Sequence, residues 1–103
     1  MGRGKIAVQC SHAAVSSADT ARTKFPKWHN AWLREGQTKI AVKVKDIDEL
    51  MDLERRARSI PIPSYLVQDK GLTQVLPGSI TCLGLGPAPS GIVDSLTGKL
   101  PLL

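Results

Sequence analysis

Cysteine is nearly absent from this chain of 103 residues: there are only two, Cys10 and Cys82, both inside apolar stretches. They read as small buried hydrophobes in a reducing compartment, with a disulfide between them left open. With His12 and His29 they stand at positions 10, 12, 29 and 82, which lacks the paired spacing of a zinc site, so no metal is expected. Long apolar runs are missing as well, which argues against a membrane span, and the first residues lack the apolar core of a signal peptide. No repeat, low-complexity linker, Ser-His-Asp set or Cys-His pair is recoverable from the spacing. Acidic residues are scarce in the first 45 positions, where only Asp19 and Glu35 face nine Lys and Arg. That half carries +7, against +5 for the whole chain and hence −2 for the remainder. Such asymmetry suits a polyanionic partner, nucleic acid in particular, although a merely solubilising surface has similar charges.

What is present fits one globular domain. Hydrophobic residues make up 42%, and 103 residues supply one modest core but not two. The opening "GRGKIAVQCSHA" (Gly2–Ala13) sets a glycine-flanked lysine at the mouth of a helix. A nucleotide-binding P-loop needs Ser or Thr after the lysine to reach magnesium, and Ile6 stands there instead. The exposed N–H groups of a helix start still favour anions, and Arg3 and Lys5 add charge. A solvated, frayed terminus explains the same residues equally well.

A helix is expected over 4–22, with Ile6, Cys10, Ala13, Ala14 and Ser17 on one face of unusually small side chains. Small residues let a helix sit close to a sheet or another helix. Pro26 suits the first turn of a second helix that ends near Gly36, with Trp28 and Trp32 on a shared face as core. A platform for stacking bases is the weaker reading of that pair. "TKIAVKV" alternates strictly and predicts a strand with Ile40, Val42 and Val44 on one side and Lys39, Ala41 and Lys43 on the other. Asp46 and Glu49 form a capping box for a helix whose stripe is Ile47, Leu50, Leu53, Ala57 and Ile60, with Glu54 and Arg58 paired outside. A strand over Ser64–Gln68 reads as buried on both faces. Pro77-Gly78 makes a turn, Ile80–Leu85 a further strand broken by Gly84 and Gly86, and a last short helix closes at Gly98. This order describes an α/β domain whose helices cover a small mixed sheet.

Two polar sets could carry chemistry: Arg3, Lys5, Gln9, Ser11 and His12 at the first helix, and Gln68, Asp69, Thr73 and Gln74 after the middle strand. Each is ordinary alone. Together, "GKIAVQCSHAAV" (Gly4–Val15), "QDKGLTQVLPGSITCLGLGP" (Gln68–Pro87) and the closing "DSLTGKLPLL" resemble the type-2 peptidyl-tRNA hydrolases, the archaeal and eukaryotic kind. The resemblance spans essentially all 103 residues. It implies a three-layer α/β/α fold around a four-stranded mixed sheet. It also leads us to expect that residues 1–103 form a single domain without the family's N-terminal strand. The implied activity is hydrolysis of the ester between peptide and tRNA, recycling tRNA released early from ribosomes. It implies no cofactor, a homodimer and a cytoplasmic location, with peptidyl-tRNA as partner and neither membrane nor DNA.

By matching position, the implied catalytic residues are Lys5, Asp69 and Thr73. Lys5 would meet the terminal phosphate or the oxyanion, Asp69 would orient or deprotonate water, and Thr73 would position Asp69 or donate to the departing alkoxide. Arg3, Gln9, Ser11, His12, Lys39, Lys43, Gln68 and Gln74 are expected to bind substrate. The alternative is an RNA-binding module without chemistry, which the basic half would serve as well.

Overall fold

The computed structural model describes residues 1–68 and 80–103, apart from the side chain of Thr81. Within them the chain forms helix α1 (Arg3–Lys24), α2 (Pro26–Arg34), α3 (Ile47–Ser59), strands β1 (Ser64–Gln68) and β2 (Ile80–Leu85), and helix α4 (Ser90–Thr97).

Gln9, Ala13, Ser17 and Ala21 recur every four residues and form the buried stripe of α1. Arg22 and Lys24 in its last turn suit the negative end of the helix dipole. Phe25 then closes α1 through its N–H to the Ala21 carbonyl (2.8 Å), and Pro26, which needs no N–H partner, opens α2. The Asp46 carboxylate caps α3 by accepting from the Glu49 N–H at 2.9 Å, while the Glu49 carboxylate accepts from the Lys45 N–H at 3.0 Å.

The two strands pair antiparallel, with Tyr65 opposite Gly84, Leu66 opposite Leu83 and Val67 opposite Cys82. An irregularity after Val67 then sets Gln68 opposite Ile80. Alternation sends Tyr65, Val67, Cys82 and Gly84 to one face, where α1 lies. Leu83 and Leu85 point to the other face and pack with Leu53 and Ala57 of α3, Ile62 and Leu96 of α4. Burying each leucine in that cluster contributes roughly 1.5–3 kcal/mol. The sheet thus lies between α1 on one side and α3 with α4 on the other, an α/β fold as the sequence implies.

Several expectations need correction. Thr38–Val44 is not a strand: among the described residues it makes one bridge, Val42 to Leu102, flanked by Lys43 N–H to the Pro101 carbonyl and Leu103 N–H to the Ala41 carbonyl. Ile40 is 74% exposed, so the alternation reaches no core there. The described sheet is wholly antiparallel. β1 is buried mainly through Val67, with Tyr65 40% exposed. Gly84 does not break β2 but sits inside it. The α3 stripe narrows to Leu53 and Ala57, since Ile47 and Ile60 are 48% and 42% exposed. Cys10 and Cys82 are half-buried free thiols. The expected Pro77-Gly78 turn lies outside the described residues.

Candidate active site

The position of Lys5 is set by how α1 lies along β2. A Cβ placed on Gly84 would stand 2.5 Å from the Ala13 carbonyl oxygen and 3.1 Å from the Ser17 Cβ, so only glycine lets helix and strand approach this closely. One step further along both elements, the Ser17 hydroxyl donates to the Gly86 carbonyl. One step back, the Cys10 and Cys82 thiols are neighbours. The contacts advance together, so α1 runs parallel to β2. From Ala13 back to Lys5 the helix covers about 12 Å. From Gly84 back to Ile80 the strand covers about 13 Å. The first turn of α1 therefore arrives at the end of the sheet where β2 begins and where β1 finishes at Gln68.

That end is electropositive by construction. Gly2 at the N-cap offers no side chain, the first turn of α1 holds no acidic residue, and Arg3 and Lys5 add positive charge to the positive end of the helix dipole. Arg3 is exposed and Lys5 half-buried. One turn on, Gln9 is 6% exposed and is, with Ser17, one of two buried polar side chains among the described residues. Gln68 is exposed at the close of β1. Asp69, the next residue in the chain, lies outside the described residues, as do Thr73 and Gln74.

The remaining candidates lie elsewhere. The Ser11 hydroxyl returns to the Ala7 carbonyl at 2.7 Å on an exposed face. His12 is stacked on Tyr65, ring centroids 5.8 Å apart and planes 24° apart, beside the middle of the sheet rather than its Gln68 end. Tyr65 was not singled out from the sequence, and its place inside an apolar run hid its exposure. Lys39 rides on Trp32, with Nζ 5.3 Å from the ring centroid. The Lys43 side chain is exposed on the segment before α3. Gly84 was read as a breaker; the signal for its contact role was the small-residue face of α1 waiting for a partner.

Burial first, and then the adjacent Cys10 thiol, push the Cys82 thiol up to about 11. It is held protonated near neutrality and is a poor nucleophile there. No three His, Cys, Asp or Glu side chains converge as metal ligands among the described residues. A cleft of about 400 Å³ between α3 and α4, lined by Asp52, Arg56, Asp94 and Lys99, belongs to the opposite side of the sheet from Lys5. No described helix is long and apolar enough to cross a membrane. What the Lys5 end can do is attract and stabilise an anion, whether a phosphate or the oxyanion of an ester under attack.

A family model described as Peptidyl-tRNA hydrolase PTH2 matches residues 1–103. The chain belongs to this family. The peptidyl-tRNA hydrolase of Saccharolobus solfataricus is 47% identical over 107 residues, a match that takes in 100% of this chain and 89% of that protein. That of Thermococcus onnurineus is 45% identical over 103 residues, covering 100% and 87%. A Saccharolobus islandicus peptidyl-tRNA hydrolase is 43% identical, covering 100% and 89%. Membership of the peptidyl-tRNA hydrolases bears out the resemblance carried by the Gly4–Val15 and Gln68–Pro87 motifs. It does not favour a binding module without chemistry.

Proposed function

We infer that this chain is an enzyme that hydrolyses the ester joining a peptide to the terminal ribose of tRNA. The observation that carries the reading is the family match over the whole chain. The cationic start of α1 beside the end of β1 is what that chemistry requires. We assign Lys5, Asp69 and Thr73 the catalytic roles. Asp69 takes a proton from water as its oxygen attacks the ester carbonyl. Lys5 stabilises the oxyanion, and Thr73 positions Asp69 or donates to the ribose oxygen as the C–O bond breaks. Arg3, Gln9 and Gln68 surround this centre, with Gln74, Ser11 and His12 further contacts to substrate. Lys39 and Lys43 meet the RNA. The ester is labile, so orientation and charge suffice without a covalent nucleophile or a cofactor.

The biological setting follows from the substrate: recycling, in the cytoplasm, of tRNA that leaves ribosomes still carrying a peptide. Residues 1–103 act as one domain, and two copies form a dimer. Val8 and Val15, seven residues apart on the outer face of α1 and 64% and 70% exposed, supply apolar surface for that pairing.

The test is release of N-acetyl-amino acid from N-acetyl-aminoacyl-tRNA by the purified chain beside Lys5→Ala. Loss of one oxyanion donor is expected to lower kcat by about 10²–10³. Equal rates for the two proteins would remove Lys5 from the site, and no hydrolysis by the unaltered chain would overturn the enzymatic reading.

A further inference from the structure

Residues 22–45 carry seven Lys and Arg against the single carboxylate of Glu35. Arg22 is paired with Asp19 one turn away. The other six (Lys24, Lys27, Arg34, Lys39, Lys43 and Lys45) meet no carboxylate among the described residues. The arginines of α3 show the opposite arrangement: Arg55 and Arg56 face Asp52, and Arg58 faces Glu54. No residue of α2 is fully buried, so its charges serve no interior.

The loop after α2 is nevertheless closely constrained. Gly36 and Gln37 both take positive φ, 99° and 57°. For glutamine that conformation costs on the order of 1 kcal/mol. The Gln37 N–H returns to the Trp32 carbonyl at 2.9 Å, and the Trp32 indole N–H donates to the Thr38 carbonyl at 2.8 Å. Lys39 Nζ donates to the Gln37 carbonyl at 2.6 Å while lying over the Trp32 ring. Gln37, Thr38 and Lys39 are all exposed, so these bonds organise surface rather than core. Their effect is to fix an ammonium in place before any ligand arrives, which lowers the entropy lost on binding.

α2 starts where α1 ends, and Lys24 is about 28 Å along the helix from Lys5. Lys24 itself is thus too far from an ester at Lys5 to act on it. We propose that α2 and the Gly36–Lys39 loop form a docking face for the phosphodiester backbone of the RNA part of the substrate, with Lys39, held by Trp32, as its preset phosphate contact. This rests on the peptidyl-tRNA reading and adds a second, non-catalytic point of attachment to it. Charge complementarity selects the occupant: a run of phosphates matches a run of cations that have no carboxylates of their own.

The experiment is fluorescence anisotropy of labelled deacylated tRNA across a salt series, a readout independent of ester cleavage. One lost phosphate contact lowers the slope of log Kd against log salt by about 0.7–0.9, equivalent to a fivefold to eightfold weaker Kd near 0.1 M salt. Lys39→Gln is expected to show that loss and Lys39→Arg to keep most of the affinity. Lys99→Gln, in the cleft between α3 and α4, is expected to change neither quantity. Thermal melts by circular dichroism accompany each variant. If Lys39→Gln lowers the melting temperature, Lys27→Gln, whose side chain holds no loop, carries the same test. Slopes for Lys39→Gln and Lys27→Gln equal to that of Lys99→Gln would overturn the docking face. Failure of the hydrolase reading would show instead as absent ester cleavage with this salt dependence intact.

Discussion

At the start of α3, Asp46 accepts from the Glu49 amide, Glu49 returns to Lys45, and Asp48 and Glu49 bring negative charge to the positive end of the helix. At the start of α1, Gly2 caps with no side chain and Arg3 and Lys5 bring more positive charge to an end that already carries it. Each unfavourable charge of this kind costs a few tenths of a kcal/mol, up to about 1. α3 follows every rule for a helix that has only to be stable. α1 breaks the same rules at the one end that reaches the β1 terminus, where its added charge favours an anion. Two helices of one small protein thus separate what folding asks for from what substrate asks for.

Three substitutions sharpen that contrast. Gly84→Ala should have the largest effect, because its Cβ would meet the Ala13 carbonyl and push α1 off the sheet. A loss of about 1–3 kcal/mol is expected in urea titration, with lower activity as Lys5 shifts. Asp46→Ala should cost about 1 kcal/mol through the lost cap and leave kcat unaltered, since α3 holds scaffold and not site. A fall in kcat at unchanged tRNA affinity would show that α3 is not the passive partner of the comparison. Arg3→Glu should act in the opposite direction on stability, a gain of about 0.3–1 kcal/mol seen as a raised melting temperature, while weakening tRNA binding. Improved stability with unchanged affinity would mean that the poor start of α1 serves nothing.

Much of this was legible in the sequence where local pattern and tertiary demand agree. β1 and β2 occur at the residues that their apolar runs marked, and the capping box fixes where α3 starts. Thr38–Val44 failed because alternation reports how a strand would present its faces, not whether a neighbour exists to accept its N–H and C=O groups. Only Leu102 bridges to it among the described residues. At the site, the charge on the first turn of α1 was readable, but its meeting with the end of β1 was not. That depends on α1 lying parallel to β2 at a fixed offset, which no local window contains. The tethering of Lys39 by Trp32 was equally hidden: the tryptophan pair read as core, and only Trp28 packs against it.

The contact between Gly84 and Ala13 also acts as a gauge mark. Because no Cβ fits between them, the helix cannot slide along the strand, and everything towards Lys5 is positioned by counting residues from that point. Inserting one residue between Lys5 and Ala13 would move the lysine by about 1.5 Å and turn it by about 100° around the helix. Its charge would then point away from the sheet end although no side chain had been altered. Between these two positions the identity of an exposed residue such as Ala7 is free to drift, but the number of residues is not.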